Sequence, residues 1–217
     1  MAKICGIDEA GRGPVIGPMV MCAIVIDKAK EKKLIGLGVK DSKQLSPEQR
    51  ERLFPKIKEA ADKVEIVILS PKDIDAALES EETNLNWLEA DTTVFMLNKL
   101  RPDVAYIDCP SNNIVAYSNY IRTKLKSKTE LHSEHKADEK YPVVSAASII
   151  AKVTRDNEIK KIQKKIGVDF GSGYPADPMT KKFLEENWKR YPEIFRKSWE
   201  SYKNVVDSKK QKKLNQF

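Results

Sequence analysis

The sequence has few cysteines and histidines, and their spacing is not that of a zinc site or a disulfide framework. Cys5, Cys22 and Cys109 are odd in number and form no C-x-x-C pair, so we interpret them as buried reduced thiols in strands. His132 and His135 are accompanied by no cysteine and no third histidine, whereas a structural zinc ion takes four such ligands. We therefore expect neither zinc nor disulfides.

Long hydrophobic runs are also lacking. The longest apolar stretch covers residues 19–26, far short of the roughly 20 residues that a membrane-spanning helix needs. The N-terminus runs straight into a strand-like segment and has no basic-then-apolar leader. We therefore expect a cytoplasmic protein rather than a secreted or membrane-spanning one.

Positive charge is present in excess, and it is concentrated at one end of the chain. The net charge is +7, and residues 181–217 alone hold 11 basic and 5 acidic side chains, an excess of +6. A basic end on a nearly neutral body suits a protein that binds the phosphate backbone of nucleic acid. On charge alone, a solvated lysine-rich tail without a partner is equally compatible.

The periodicity of apolar residues predicts a mixed α/β chain. Strands are predicted near residues 4–8, 19–27, 64–69 and 103–108. Helices are predicted near residues 46–62, 85–100, 113–125, 143–166, 180–190 and 193–206, with a further short one after Ser70. This order of elements predicts a mixed sheet with helices packed on its faces.

Acidic residues stand where two of the predicted strands end. Asp8 and Glu9 close the first strand and are followed at once by a glycine-rich turn, where adjacent acids have no evident structural role. Asp108 closes a second apolar strand, and functional groups of open α/β sheets gather at such strand ends. If the two strands are neighbours, these carboxylates would repel one another unless a hard divalent ion, Mg²⁺ or Mn²⁺, lies between them.

A fourth acid would complete the set, and we predict that it is Asp138. It lies just before the helix predicted to begin near residue 143. Asp156 is the alternative, although it follows Arg155 within that helix, where an exposed ion pair is the simpler explanation. Two ions about 4 Å apart could activate water and stabilise the leaving oxygen of a phosphodiester.

Several motifs between Gly6 and Pro178 resemble, in the same order, those of the archaeal ribonuclease HII family. They are Gly6-Ile7-Asp8-Glu9-Ala10-Gly11-Arg12-Gly13, Asp41-Ser42-Lys43, Tyr106-Ile107-Asp108, His135-Lys136-Ala137-Asp138, Ala146-Ala147-Ser148-Ile149-Ile150-Ala151-Lys152 and Gly171-Ser172-Gly173-Tyr174-Pro175. The resemblance implies a ribonuclease-H-like α/β fold, with a five-stranded mixed sheet flanked by helices and a helical C-terminal extension. We place the catalytic domain at residues 1–177, the extension at 178–207 and a flexible basic tail at 208–217.

The resemblance also implies roles for individual residues. The catalytic ligands of two divalent ions, Mg²⁺ or Mn²⁺, would be Asp8, Glu9, Asp108 and Asp138. The family's substrate contacts match Gly11, Arg12 and Gly13, which meet the 2′-OH of a ribonucleotide through the backbone, and Tyr174, which stacks on the next deoxyribose. Glycine suits such a loop because it lets the backbone approach a ligand closely. Phosphate contacts are implied for Ser42 and Lys43, whereas Lys152 either meets a phosphate or lies on the exposed side of its helix.

The activity that the resemblance implies is that of an endoribonuclease, ribonuclease H of type 2. It would hydrolyse the RNA strand of RNA–DNA hybrids and cut on the 5′ side of ribonucleotides embedded in duplex DNA, leaving a 3′-hydroxyl and a 5′-phosphate by two-metal-ion catalysis. We expect a monomer that removes ribonucleotides and primers in DNA replication and repair. The alternatives are another nuclease or resolvase of this fold, and a metal-free nucleic-acid-binding protein.

The last seven residues resemble the peptide motif that docks onto DNA sliding clamps. The matching positions are Gln211, Leu214 and Phe217, and one helical turn would place Leu214 and Phe217 on one face as a hydrophobic plug. The sequence therefore predicts a clamp as a partner. The alternative is a frayed polar tail that ends in phenylalanine.

Overall fold

The computed structural model describes residues 2–39 and 45–214, with side chains up to residue 211. The predicted contacts Ser42, Lys43 and Phe217 lie outside the described residues, as does the side chain of Leu214. The strands are β1 (Lys3–Ala10), β2 (Met19–Asp27), β3 (Lys63–Leu69), β4 (Val104–Asp108) and β5 (Glu130–Glu134). The helices are α1 (Glu31–Gly36), α2 (Pro47–Ala60), α3 (Pro71–Glu79), α4 (Leu85–Leu100), α5 (Ile114–Lys124), α6 (Ala137–Lys140), α7 (Pro142–Ile166), α8 (Pro178–Asn187) and α9 (Glu200–Leu214).

The strands form one mixed sheet in the order β3-β2-β1-β4-β5. β1 is antiparallel to β2 and parallel to β4, and β4 is parallel to β5. The five-stranded mixed sheet flanked by helices confirms the predicted fold class. β1 lies at the centre of the sheet, so the acidic end of this strand has a neighbouring strand on each side.

Helices α2 and α3 begin where the sequence predicts, because each is preceded by a capping serine. Ser46 Oγ accepts a hydrogen bond from the backbone N–H of Gln49 at 3.3 Å, and Gln49 Oε1 accepts one from the N–H of Ser46 at 2.7 Å. Ser70 and Asp73 make the same reciprocal pair at 3.2 and 2.9 Å. These contacts satisfy N–H groups that have no partner inside a helix, which fixes where each helix starts.

The described chain divides into two compact units, and the sheet belongs to the first. This unit comprises Met1–Ala10, Val20–Ile68 and Leu85–Thr154. Every residue of β2 is buried, as expected for the continuous apolar run that the sequence shows there. β1 packs closely on the start of α7, because a Cβ atom at Gly6 would overlap the backbone of Val143.

The second compact unit consists of Gly11–Met19, Leu69–Asn84 and Arg155–Phe217. Its core is aromatic, with ring centres of Phe183 and Phe195 6.0 Å apart and those of Phe195 and Tyr202 5.8 Å apart. The two units are discontinuous in sequence, and the boundaries that the sequence predicts after residues 177 and 207 stay predictions. The last helix runs to Leu214 and so includes most of the segment that we predict as a tail.

Candidate active site

The parallel pairing of β1 and β4 brings two acidic strand ends to the same edge of the sheet. Ile7 pairs with Ile107, so Asp8 and Asp108 each follow the last residues that the two strands pair. The two strands are neighbours in the sheet, which is the condition under which the sequence predicts that their carboxylates lie close together. Functional groups gather beside such carboxyl ends of parallel strands.

Asp138 reaches the same edge through the turn between β5 and α6. Lys136 adopts a left-handed conformation, with φ of 57°, and α6 starts at the next residue. The backbone N–H of Ala137 donates to Asp108 Oδ1 at 3.1 Å, which ties the start of α6 to the end of β4. Asp138 follows directly and is only 4% exposed.

Three carboxylates converge at this edge. Asp8, Asp108 and Asp138 each offer one oxygen, and these oxygens all lie within 4.8 Å of one another. Carboxylate oxygens are the hard ligands that Mg²⁺ and Mn²⁺ prefer, so the group fits a divalent cation. Among the residues that the structure describes, Glu9 does not belong to this close group; it is half-buried and lies next to Asp8 on β1.

The electrostatics of Asp8 also favour a cation. Asp8 is 5% exposed, and burial raises the pKa of its carboxyl well above the ordinary value, with further upward contributions from the charges of Glu9 and Asp108. Hydrogen bonds from Ser148 and from the backbone N–H of Glu9, the latter at 2.7 Å, act in the opposite direction. A bound cation would offset the repulsion between these carboxylates.

Ser148 is a site residue whose role the sequence does not reveal. It lies on α7 within a run of small residues that predicts close packing of helix on sheet, and it is fully buried. In addition, its hydroxyl makes a hydrogen bond to the carboxylate of Asp8. The family motif that spans residues 146–152 was the signal that could have identified it.

Asp156, the alternative fourth acid, has a different environment. Its side chain is 40% exposed, and its Oδ1 lies 3.8 Å from Nη1 of Arg155. Asp156 is therefore partly exposed, whereas Arg155 is buried, so the pair is not the exposed surface pair that the sequence suggests. Lys152 lies one turn earlier on the same helix and is half-buried.

In the second compact unit, the glycine-rich loop (Gly11-Arg12-Gly13) lies next to Tyr174, the predicted stacking residue. A Cβ atom at Gly13 would lie 3.6 Å from Cε1 of Tyr174, so the loop and the ring are adjacent. Tyr174 is 42% exposed, and the guanidinium of Arg155 lies 5.4 Å from its ring centre. Gly11 has φ of +81°, a conformation that favours glycine at this position.

The residues of the predicted clamp motif are only partly described. Gln211 is exposed on α9, and Leu214 is the last residue of that helix. In the part of the chain that the structure covers, no helix is both long enough and apolar enough to cross a membrane.

Comparisons with known proteins agree with the fold. The family model for ribonuclease HII matches residues 5–202. Ribonuclease HII of Pyrococcus furiosus is 48% identical over 216 residues, which cover 97% of this chain and 94% of that protein.

Two solved structures are also similar. The ribonuclease H2 from Pyrococcus horikoshii OT3 has a TM-score of 0.87 at 47% identity, covering 95% of this chain and 98% of that one. The ribonuclease HII of the PCNA:RNase HII complex from Archaeoglobus fulgidus has a TM-score of 0.84 at 38% identity, covering 93% and 96%. The chain therefore belongs to the ribonuclease HII family and is a ribonuclease H, an endoribonuclease that acts on RNA–DNA hybrids.

Proposed function

We propose that the protein hydrolyses the RNA strand of hybrids and also cuts on the 5′ side of single ribonucleotides embedded in duplex DNA. The main support is the group of three carboxylates at the ends of β1 and β4 and at the start of α6. The glycine-rich loop supports the finer specificity, because it follows β1 directly in the chain. Hydrolysis breaks the bond between phosphorus and the preceding 3′-oxygen, which leaves a 3′-hydroxyl and a 5′-phosphate.

The catalytic acids are proposed to hold two divalent ions, Mg²⁺ or Mn²⁺. The ribonuclease HII family is metal-dependent, and the ligands here would be Asp8, Glu9, Asp108 and Asp138. When bound, two such ions supply activation of water and stabilisation of charge on the leaving oxygen. The protein contributes fixed ligand positions, because the N–H of Ala137 orients Asp108 and Ser148 orients Asp8.

Recognition of the ribonucleotide is proposed for the adjacent loop and tyrosine. The backbone of Gly11, Arg12 and Gly13 would meet the 2′-OH, which is the group that distinguishes RNA from DNA. Tyr174 would stack on the following deoxyribose, and its exposed ring beside Gly13 is suitably placed for this contact. Phosphate contacts remain predictions for Ser42, Lys43 and Lys152.

The test is cleavage of two end-labelled duplexes, with Mg²⁺, with Mn²⁺ and with chelator. One duplex is an RNA–DNA hybrid, and the other is DNA that carries one ribonucleotide. We expect metal-dependent cutting of both, on the 5′ side of the single ribonucleotide, with a 5′-phosphate on the downstream product. If only the hybrid were cut, the result would contradict the proposed role of the loop and Tyr174 in recognising a single ribonucleotide. Cutting of neither would favour the metal-free binding protein.

The C-terminal residues are proposed to bind a DNA sliding clamp, which would recruit the enzyme to replication and repair. The similar ribonuclease HII from Archaeoglobus fulgidus forms a complex with PCNA, and Gln211 here is exposed near the chain end. We expect Phe217→Ala to weaken binding to the Archaeoglobus PCNA at least about tenfold, because an aromatic anchor carries much of the affinity of such a peptide. Asn215→Ala is the control, and titration calorimetry is the measurement. Equal affinities for both variants would contradict the motif.

A further inference from the structure

Arg196 is the largest fully buried side chain among the described residues, although it belongs to the basic C-terminal stretch. It lies between α8 and α9, where Phe195 forms an antiparallel bridge with Ile16. Burial, together with the charge of Arg155, lowers the pKa of its guanidinium to about 9. Burying a charged group costs free energy unless hydrogen bonds compensate for the lost water, so its position requires an explanation.

The guanidinium of Arg196 donates hydrogen bonds to three backbone carbonyls of the segment that follows β1. Nη2 donates to the oxygen of Gly11 at 2.6 Å, Nη1 to that of Arg12 at 2.8 Å and Nε to that of Gly17 at 3.0 Å. A planar guanidinium presents its N–H groups in fixed directions, so three bonds to separate carbonyls hold the loop in one conformation.

Trp199 extends this contact to the next carbonyl of the loop. Its Nε1–H donates to the oxygen of Gly13 at 3.0 Å, and its ring centre lies 4.8 Å from the guanidinium of Arg196. The segment that carries both side chains is itself fixed, because the carboxylate of Asp75 accepts hydrogen bonds at 2.9 Å from the backbone N–H groups of residues 197 and 198. The carbonyls of Gly11, Arg12 and Gly13 therefore each have a donor from this one segment.

The direction of these carbonyls determines the direction of the neighbouring amides. In a trans peptide unit, the C=O of one residue and the N–H of the next point in opposite directions. Because the carbonyls of Gly11 and Arg12 point towards Arg196, the N–H groups of Arg12 and Gly13 point away from it. Two successive donors are thus held with the same general orientation on a loop whose Gly13 is exposed.

We propose that Arg196 is a positioning residue, which aims the amides of Arg12 and Gly13 at the 2′-OH of the ribonucleotide. This inference rests on the proposed function of the glycine-rich loop. Arg196 does not touch the substrate; it acts through the peptide units that it binds. Trp199 assists it by holding the carbonyl of Gly13; the next residue is Pro14, which has no N–H, so this contact steadies the loop and does not aim a third donor.

The test compares binding of two duplexes that differ by one 2′-OH. Asp8→Asn serves as the background, so that a DNA duplex with one ribonucleotide can be compared with the all-DNA duplex in Mg²⁺ without cleavage. Adding Arg196→Gln should reduce the preference for the ribonucleotide about tenfold or more, the scale expected for losing hydrogen bonds to a charged group. The affinity for the all-DNA duplex should not change. Lys72→Gln, which removes one exposed positive charge from α3, is the matched control and should leave both affinities unchanged.

A purely structural role for Arg196 would lower the melting temperature and leave the preference intact, and that result would overturn the proposal. Trp199→Phe is the second variant, because it keeps an aromatic side chain, although a smaller one, and removes the donor to Gly13. It should fold and should also reduce the preference, by a smaller factor. If Arg196→Gln fails to fold, an unchanged preference in Trp199→Phe overturns the proposal. If Asp8→Asn alone binds the two duplexes equally well, the protein does not recognise the 2′-OH, and that result would contradict the proposed function of the loop.

Discussion

Replacing Asp8 with asparagine should reduce cleavage of a ribonucleotide-containing duplex by at least about a hundredfold, the scale of removing one preorganised electrostatic group. Asp8 is buried, and it is the residue that β1 contributes to the group of three carboxylates. The amide of asparagine is neutral, so the variant lacks one of the negative charges that would bind a divalent ion. The measurement is kcat/KM in Mg²⁺ for the single-ribonucleotide duplex. The affinity for the duplex in the presence of chelator should stay within a small factor of that of the original protein.

Loss of folding should not contribute to this result, because we expect the substitution not to destabilise the metal-free protein. Burial raises the pKa of Asp8, which means that the ionised carboxylate is disfavoured in the folded state. A neutral amide of nearly the same shape removes that unfavourable charge. We therefore expect Asp8→Asn to unfold in chelator at the same urea concentration as the original protein or a higher one. Normal cleavage by the variant would show that the metal site has been assigned to the wrong residues.

The sequence predicted the strands that build the acidic edge, because β1, β2 and β4 are apolar runs with clear ends. Asp8 and Asp108 could then be placed together from their positions at two strand ends. By contrast, β5 has the sequence Glu130-Leu131-His132-Ser133-Glu134, which contains one aliphatic residue and shows no apolar alternation. Its strand conformation depends on pairing with β4 at the edge of the sheet, which is a tertiary contact.

The position of Asp138 depends on the same tertiary contact. The pairing of β5 with β4 and the left-handed conformation of Lys136 together bring the N–H of Ala137 to Asp108. A left-handed lysine gives no signal in the sequence, since the residues that favour that conformation are glycine and asparagine. The family motif identified Asp138, whereas its geometry required the structure.

Not all of the basic C-terminal stretch, residues 181–217, is exposed to solvent. One of its 11 positive charges is that of Arg196. This side chain is buried against backbone carbonyls and is not available to phosphates. The same stretch supplies Phe183 and Phe195 to the core of the second compact unit. Deleting it would therefore remove core residues, and its role in binding is better tested by neutralising exposed lysines such as Lys181 and Lys189 and measuring the salt dependence of affinity.

Asp138→Asn and Asp156→Asn should have very different effects, and the pair of variants decides which residue is the fourth acid. Asp138 is almost fully buried, and one of its oxygens lies within 4.8 Å of those of Asp8 and Asp108. Removing its charge should lower kcat/KM for the single-ribonucleotide duplex at least about a hundredfold. Asp156 has a side chain that is 40% exposed, and among the described residues it is not a member of the group of three carboxylates.

We therefore expect Asp156→Asn to retain kcat/KM within about twofold, since the charge of a carboxylate that is partly exposed is screened by solvent and salt. Both substitutions replace a carboxylate by a neutral amide of nearly the same size, so each is the control for the other. A titration of Mg²⁺ adds a second readout, because loss of a ligand should raise the concentration needed for half-maximal cleavage in Asp138→Asn alone. If Asp156→Asn lost activity and Asp138→Asn kept it, the close group of three carboxylates would not be the catalytic set, and the ligands would have to include the acid on α7.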